Sequence, residues 1–510
     1  MFKPVQFPPE VEPLVQFVEE TPRERIVEAT IAKLRSGISA KEMLTASALA
    51  VTRSTDTAVG HHGGPCHALC GVYPSHQTAA RLSGEWAYMP VVQHVSLANE
   101  HIHCPEYGPY IMPEVEPIRA VDMFNLQQRG YYQASEGTLE ETRENFVRMM
   151  QIKHPPAAEG HLAYLMGRIP NDDILDLILT KAIPFNGNDD HYFLFPVYSC
   201  RALDVLGWEW GSVLLRPSVR WQARNPYMRN AIQPSRLSIT YPEIEELLEK
   251  YRLLEISIPL KSTAAETEAI GRLADAVGKC DDFALIPEMT ARALADGLSI
   301  EGAGEALSIA SATTFLRTSY GNPMDSHLHT GINARRYALE KEHISLRNKV
   351  LALLTAYTGP EIALSMSTLE YEATADRAAM QALPDRDQPA LIDAIVRTLM
   401  EIPTERNLHY LNLTSLRTFP GVRDSMALAQ QYIEKRFEPM ALFVELAKLT
   451  TRDDFTEMHA IKHHQAAVDE YYTCRDPFRW VHLVSAVKYI GFSRGAKEQY
   501  FAEAREVLKV

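Results

Sequence analysis

The stretch GGPCHALCGVY (Gly63–Tyr73) joins a glycine turn, a proline, a histidine and an apolar run that closes on tyrosine. Proline at a first helical position loses no hydrogen bond and arrives with a helical φ. The spacing therefore predicts a helix from about Pro65, with His61 and His62 left in the preceding turn. The same order of turn, histidine, apolar stretch and tyrosine recurs in GNDDHYFLFPVY (Gly187–Tyr198), NPMDSHLHTGINARRY (Asn322–Tyr337) and DDFTEMHAIKHHQAAVDEYY (Asp453–Tyr472). The leading histidines are His67, His191, His327 and His459, at separations of 124, 136 and 132 residues. Equivalent helices repeated at that interval in a curved or closed array would aim all four histidines at one cavity. The competing reading is coincidence, since the chain holds 18 His and 22 Tyr.

The rest of the chain agrees with a helical fold. RERIVEATIAKLRSG (23–37), DDILDLILTKAI (172–183), YPEIEELLEKYRLLE (241–255), AAETEAIGRLADAVGK (264–279) and QPALIDAIVRTLMEI (388–402) place apolar residues at i, i+3, i+4 and i+7. Gly37 after Lys33 and Arg35 is a stop signal, and Asn171–Asp172 a start signal. No long segment alternates with period two. The expected fold is all-α, with stacked helix pairs in a HEAT-like or toroidal array. The basic, proline-punctuated stretch RPSVRWQARNPYMRNAIQPS (Arg216–Ser235) divides it into an N-terminal helical half, 1–225, holding the His/Cys-rich cluster, and a C-terminal helical half, 226–510.

Composition narrows the function. At 510 residues, 46% hydrophobic and 23% charged, the chain can build a large core. A formal net charge of −14 argues against non-specific binding to nucleic acid or an anionic membrane. No run of about 18 uncharged apolar residues is present. The opening MFKPVQFPPEVEP, with four prolines and no apolar core, does not read as a secretory signal. Six cysteines in a chain of this length fit a reducing cytoplasm better than a disulfide framework.

Several stretches carry metal-capable side chains. Cys66 and Cys70 stand at i, i+4 and His67 and Cys70 at i, i+3, so each pair shares a helix face; thiolate with imidazole suits Zn, Fe or Cu. Otherwise the cysteines are small apolar fillers. In EHIHC, Glu100 and His103 have the Glu-x-x-His spacing of di-iron bundles, but a second copy is lacking. In HAIKHH, His459 and His463 at i, i+4 form either a clamp or a solvated face. In HLH, His327 and His329 point to different faces. Asp189 or Asp190 could orient His191 or cap its helix. GFSRG around Ser493 imitates a nucleophile elbow, yet no histidine follows it. There is no phosphate-loop, dinucleotide or His-Glu-x-x-His motif.

The run HHGGPCHALCGVYPSH with the later W and PVVQH resembles the His-rich helix of questin oxidase-like proteins, and DDHYFLFPVYSCRALDVLGWEWGSVLLRPSVRW resembles a further helix pair of that group. It is also similar to the HEAT-like helical region attached to some Rieske-type proteins. The similarity covers 58–104 and 185–222, with echoes near His327 and His459. It implies an all-α chain and oxidation of an organic substrate, such as oxygen insertion into an aromatic ring. By residue it extends to His62, His67 and His191, then to His327 and His463. The Cys66–Cys70 pair departs from the group.

These readings converge on a cytoplasmic, metal-dependent oxidoreductase that acts on a small molecule in a histidine-lined cavity. Its expected ligands are His67, His191, His327 and His463, with His62, Cys66 and His459 as neighbouring catalytic groups. Iron is the first choice of metal, copper or zinc the next. Two alternatives stay open: metal-free acid–base chemistry, and a helical-repeat scaffold whose histidines or zinc are structural.

Overall fold

A computed structural model describes residues 3–57, 63–119, 138–186, 190–224, 240–321, 326–357, 369–375, 377–402, 414–415, 420–452, 458–493 and 499–510. Within these the fold is all-α. The only strands among the described residues are Tyr320–Gly321 and Thr414–Ser415, paired antiparallel. Each periodic stretch named above contains a helix: Ile26–Arg35, Asn171–Ala182, Tyr241–Lys250, Thr267–Gly278 and Gln388–Glu401.

One order of helices recurs four times. The first unit is Ile26–Arg35, Ala40–Ser54, Pro65–Arg81 and Met89–His103. The second is Pro155–Leu165, Asn171–Ala182, His191–Leu206 and Arg216–Arg224. The third is Ile286–Ala295, Ile300–Arg317, Ser326–Glu340 and Leu346–Leu354, and the fourth Pro420–Glu434, Pro439–Thr450, His459–Thr473 and Trp480–Ser493. The sequence cause of the first turn is local. A left-handed residue closes the first helix of each unit: Gly37 (φ 103°), Gly167 (φ 73°), Gly297 (φ 101°) and Arg436 (φ 56°). An apolar residue then folds back. The amides of Ile38, Leu298 and Phe437 donate to the carbonyls of Lys33, Ala293 and Tyr432, at 3.3, 3.0 and 3.4 Å. That is the wide hydrogen bond of a Schellman cap, which turns the chain and launches the second helix.

The third helix of each unit bears one of the four leading histidines. We call these helices α1 (Pro65–Arg81), α2 (His191–Leu206), α3 (Ser326–Glu340) and α4 (His459–Thr473). α1 packs on α2, α2 on α3, α3 on α4, and α4 on α1. This closure departs from a HEAT solenoid, in which repeats touch only sequence neighbours. It takes two helices from each side of the 225/226 division. The basic stretch behind that division is also inside the fold where it is described. Arg216 and Arg220 are buried and hold Glu159, with nitrogen–oxygen distances of 2.7 and 2.5 Å; residues 225–239 lie outside the described set. Among the described residues no helix is long and apolar enough to cross a membrane.

Candidate functional site

The first turns of the four inner helices meet, and that meeting point is built of imidazoles. His67 and His191 meet through their Nε2 atoms at 3.0 Å, and His327 and His459 through theirs at 3.1 Å. Ring centroids around the set are 4.9 Å (His67–His191), 5.0 Å (His191–His327), 4.8 Å (His327–His459) and 5.4 Å (His459–His67), each pair near perpendicular. All four side chains belong to residues no more than 2% exposed. Residues 124, 136 and 132 apart in sequence thus close one ring.

The backbone is bent to bring this about. The residues before α1, α2 and α4 are left-handed: Gly64 (φ 73°), Asp190 (φ 66°) and Met458 (φ 67°). Gly64 adopts this conformation freely, whereas aspartate and above all methionine do so at a cost of order 1 kcal/mol. Surrounding structure holds them. The Asp190 carboxylate pairs with Arg335 of α3 (Nη2 to Oδ1, 2.8 Å) and accepts from Asn186. Arg335 is itself buried, donating to the carbonyls of Ala352, Gly331 and Thr355. Asp190 therefore neither caps α2 nor bonds to His191 as the sequence reading allowed; it ties the start of α2 to α3. Asp189 lies outside the described residues. Small residues make the room: a side-chain carbon at Gly331 would strike Asp190, and one at Gly71 would strike Met458.

The walls of the ring differ. Phe195 lies 5.4 Å from His67 and 4.8 Å from His191, backed by Trp221 at 5.0 Å, and makes an apolar wall. Further along α3 and α4 is a second set of imidazoles. His329 Nε2 and His482 Nδ1 share a hydrogen bond of 3.0 Å. His463 packs 4.8 Å from His329 and stacks on Tyr489 at 4.3 Å. Burial lowers His329 to about 4, and burial together with the neighbouring imidazoles drives His463 and His482 well below the usual range, so these rings are neutral at pH 7.

Several residues expected at the site are elsewhere. His463 is not in the ring; the ring member on its helix is His459. The i, i+4 pairing suggested a shared target, but α4 starts at His459, and only that first position is level with the other three histidines. Cys66 and Cys70 join the apolar core, and burial pushes the Cys66 thiol well up, so it supplies no thiolate. His62 lies outside the described residues. Of EHIHC, Glu100 pairs with Arg23 at 2.9 Å and accepts from Tyr500 at 2.6 Å, while His103 turns back to the Asn99 carbonyl at 2.9 Å. That stretch is a structural anchor. His482, Asn333 and Arg336 carried no motif, although His482 occupies the fourth helix of its unit as His94 does in the first.

The group Glu470, Cys474 and His482 has donor atoms within 4.8 Å of one another. It does not suit a cation. The Arg336 guanidinium pairs with Glu470 and stands 3.4 Å from Cys474 Sγ, so positive charge is already in place. Burial would raise the Glu470 carboxyl, but Arg336 and hydrogen bonds from Ser308 (2.6 Å) and Asn333 (2.7 Å) overcome this and hold it at about 2. Burial lifts the Cys474 thiol far from ionisation.

The four-histidine ring has no such guanidinium among the described residues and brings two Nε2 pairs close together. Imidazole nitrogens bound to a first-row metal at about 2.0–2.1 Å stand about 2.9 Å apart at right angles and about 3.4 Å apart in a tetrahedron. The two Nε2 pairs, at 3.0 and 3.1 Å, fall nearer the right-angle value and are also within the span of a hydrogen bond between imidazoles. No known family model, curated protein or solved structure matches this chain.

Proposed function

We propose that this chain is a cytoplasmic, metal-dependent oxidoreductase, with iron held by His67, His191, His327 and His459 and a small organic molecule as substrate. The observation that carries the reading is the convergence of four buried imidazoles, one from each repeated unit, with the His67–His191 and His327–His459 Nε2 pairs at 3.0 and 3.1 Å. Imidazole sets without thiolate suit Fe, Cu, Ni or Zn. The spacing favours a metal that keeps open positions over the closed tetrahedron of structural zinc, which weakens the scaffold alternative. Bound iron would supply one-electron and dioxygen chemistry. The protein's own part is to orient and to exclude water. The Asp190–Arg335 pair fixes where α2 begins, the caps fix the helix rotation, and Phe195 with Trp221 keeps one side dry. The resemblance to questin oxidase-like proteins is in keeping with an aromatic substrate.

The test is reconstitution. Protein stripped of metal and given one equivalent of Fe(II) is expected to consume dioxygen, with ascorbate as reductant, at least tenfold faster than the same iron with the His67→Ala variant. Equal rates would refute the assignment.

A further inference from the structure

The four inner helices also meet further along. Tyr73 and Asn333 stand six residues beyond His67 and His327, and Arg201 and Asp469 ten beyond His191 and His459, which places them about 9–15 Å past the imidazoles by helical rise. Together these four line a pocket of about 410 Å³, a size ordinary for small-molecule sites. Its floor is ionic. Arg201 donates to Asp469 at 2.7 Å and to Asn333; the Asn333 amide donates to Glu470 at 2.7 Å, and Glu470 pairs with Arg336. The Arg201 guanidinium also lies 3.8 Å over the ring of Tyr73, which fixes that charge in place. Tyr337, Val468 and Tyr472 make an apolar wall, and Tyr472, 46% exposed, marks the open side.

Charge is ordered along two of the walls. On α2 Arg201 is followed at i+3 by Asp204, and on α3 Arg336 is followed at i+4 by Glu340. Each helix thus sets a guanidinium inside and a carboxylate one turn nearer its C-terminal end, where unpaired carbonyls add negative charge. Burial follows the same order: the Arg201 and Arg336 side chains are 7% and 10% exposed, that of Asp204 is 38% exposed, and Glu340 is exposed. Neither guanidinium pairs with the carboxylate of its own helix; among the described residues Arg201 pairs with Asp469 and Arg336 with Glu470. The bonds of Arg201 to Asn333 and Asp469 use two of a guanidinium's five N–H groups. Buried ion pairs contribute little beyond what apolar packing would, so stability alone does not explain two of them flooring an open cavity.

We infer that this pocket binds an α-amino acid with an apolar side chain. The ligand carboxylate meets Arg201 and Arg336, the ammonium meets Asp204 and Glu340, and the side chain lies against Tyr337, Val468 and Tyr472. A ligand with one sign of charge would find a partner on one level and repulsion on the other. A zwitterion finds a partner on both, in the order in which the walls present them. The site uses none of the four ring histidines and stands whether or not they hold iron.

Calorimetric titration of the metal-free, full-length chain tests this, and its outcome does not depend on the iron assignment. L-phenylalanine is expected to bind about tenfold or more tightly than 3-phenylpropionate, which lacks the ammonium, or 2-phenylethylamine, which lacks the carboxylate. Glycine, which lacks the apolar body, is expected to bind about tenfold or more weakly than L-phenylalanine. Arg201→Lys keeps a positive charge beside Asp469 and loses the planar fork, and is expected to weaken L-phenylalanine about tenfold. Glu340→Gln, at an exposed position where folding is not at stake, is expected to weaken it about threefold and to leave 3-phenylpropionate unchanged. No binding of L-phenylalanine, equal binding of either single-charge analogue, or full affinity in either variant overturns the proposal. The Glu340→Gln arm and the analogues decide it even where Arg201→Lys fails to fold.

Discussion

Lowering the pH from 7 to 5 is expected to unfold this protein. The cause is the number of histidines held neutral in the interior. Burial lowers His94 and His329 to about 4 and His464 to about 3, the last assisted by Arg81, and it drives His463 and His482 down as well. In the unfolded chain each titrates near 6.5. Between the two values the unfolded state binds protons that the folded state refuses, so stability is full above about pH 6.5 and falls as the pH drops toward the folded values. At pH 5 each of His94, His329 and His464 costs about 2 kcal/mol by this linkage. His94, His329 and His464 together reach about 6 kcal/mol, within the range of the whole stability of an ordinary domain, and His463 and His482 act in the same direction. Glu470 adds nothing in this window, because its low folded value makes its contribution disappear only as the pH falls from about 4.5 toward about 2. Urea titrations of metal-free protein at pH 7, 6 and 5 should show the midpoint falling steeply toward zero. A midpoint constant across the range would mean that the interior imidazoles are solvated.

The second large effect separates the two histidines of α4. His459→Ala is expected to weaken iron binding by more than about 100-fold, since loss of even an outer partner of a metal ligand costs about 10–100-fold. His463→Ala is expected to retain iron at the unmodified stoichiometry and to lose stability instead. Its ring fills space between Tyr489 (4.3 Å) and Phe315 (5.7 Å), and emptying a fully buried aromatic position costs about 3 kcal/mol or more. Metal content by emission spectroscopy and thermal midpoints on both variants decide the matter. Iron lost from His463→Ala and kept by His459→Ala would invert the assignment.

The contrast between these two residues also marks how far the sequence could be read. Helix existence was legible wherever a 3.6-residue period ran uninterrupted, as in Asn171–Ala182, because that period is a local property. The convergence of His67, His191, His327 and His459 was legible for a different reason. Each opens a helix after a turn, and four equivalent openings can be matched without knowing the distances between them. His463 was misplaced because i, i+4 spacing says that two side chains share a face, not that they share a level along the bundle. The Asp190–Arg335 pair and the link from His329 to His482 could not be seen at all. They join residues 145 and 153 positions apart, and nothing local announces either contact. The cysteines misled for a related reason: i, i+3 spacing puts Cys70 on the same face of its helix as His67 but about one turn further along, where it joins the apolar core instead of the ring.

X-ray absorption at the iron edge, on protein reconstituted with one equivalent of iron, tests the central claim most directly. Four imidazole nitrogens at about 2.0–2.2 Å, with the outer-shell scattering of intact rings and no sulfur, is the expected result. Sulfur at about 2.3 Å, which would place Cys66 or Cys70 on the metal, or the absence of imidazole outer-shell scattering, would contradict it.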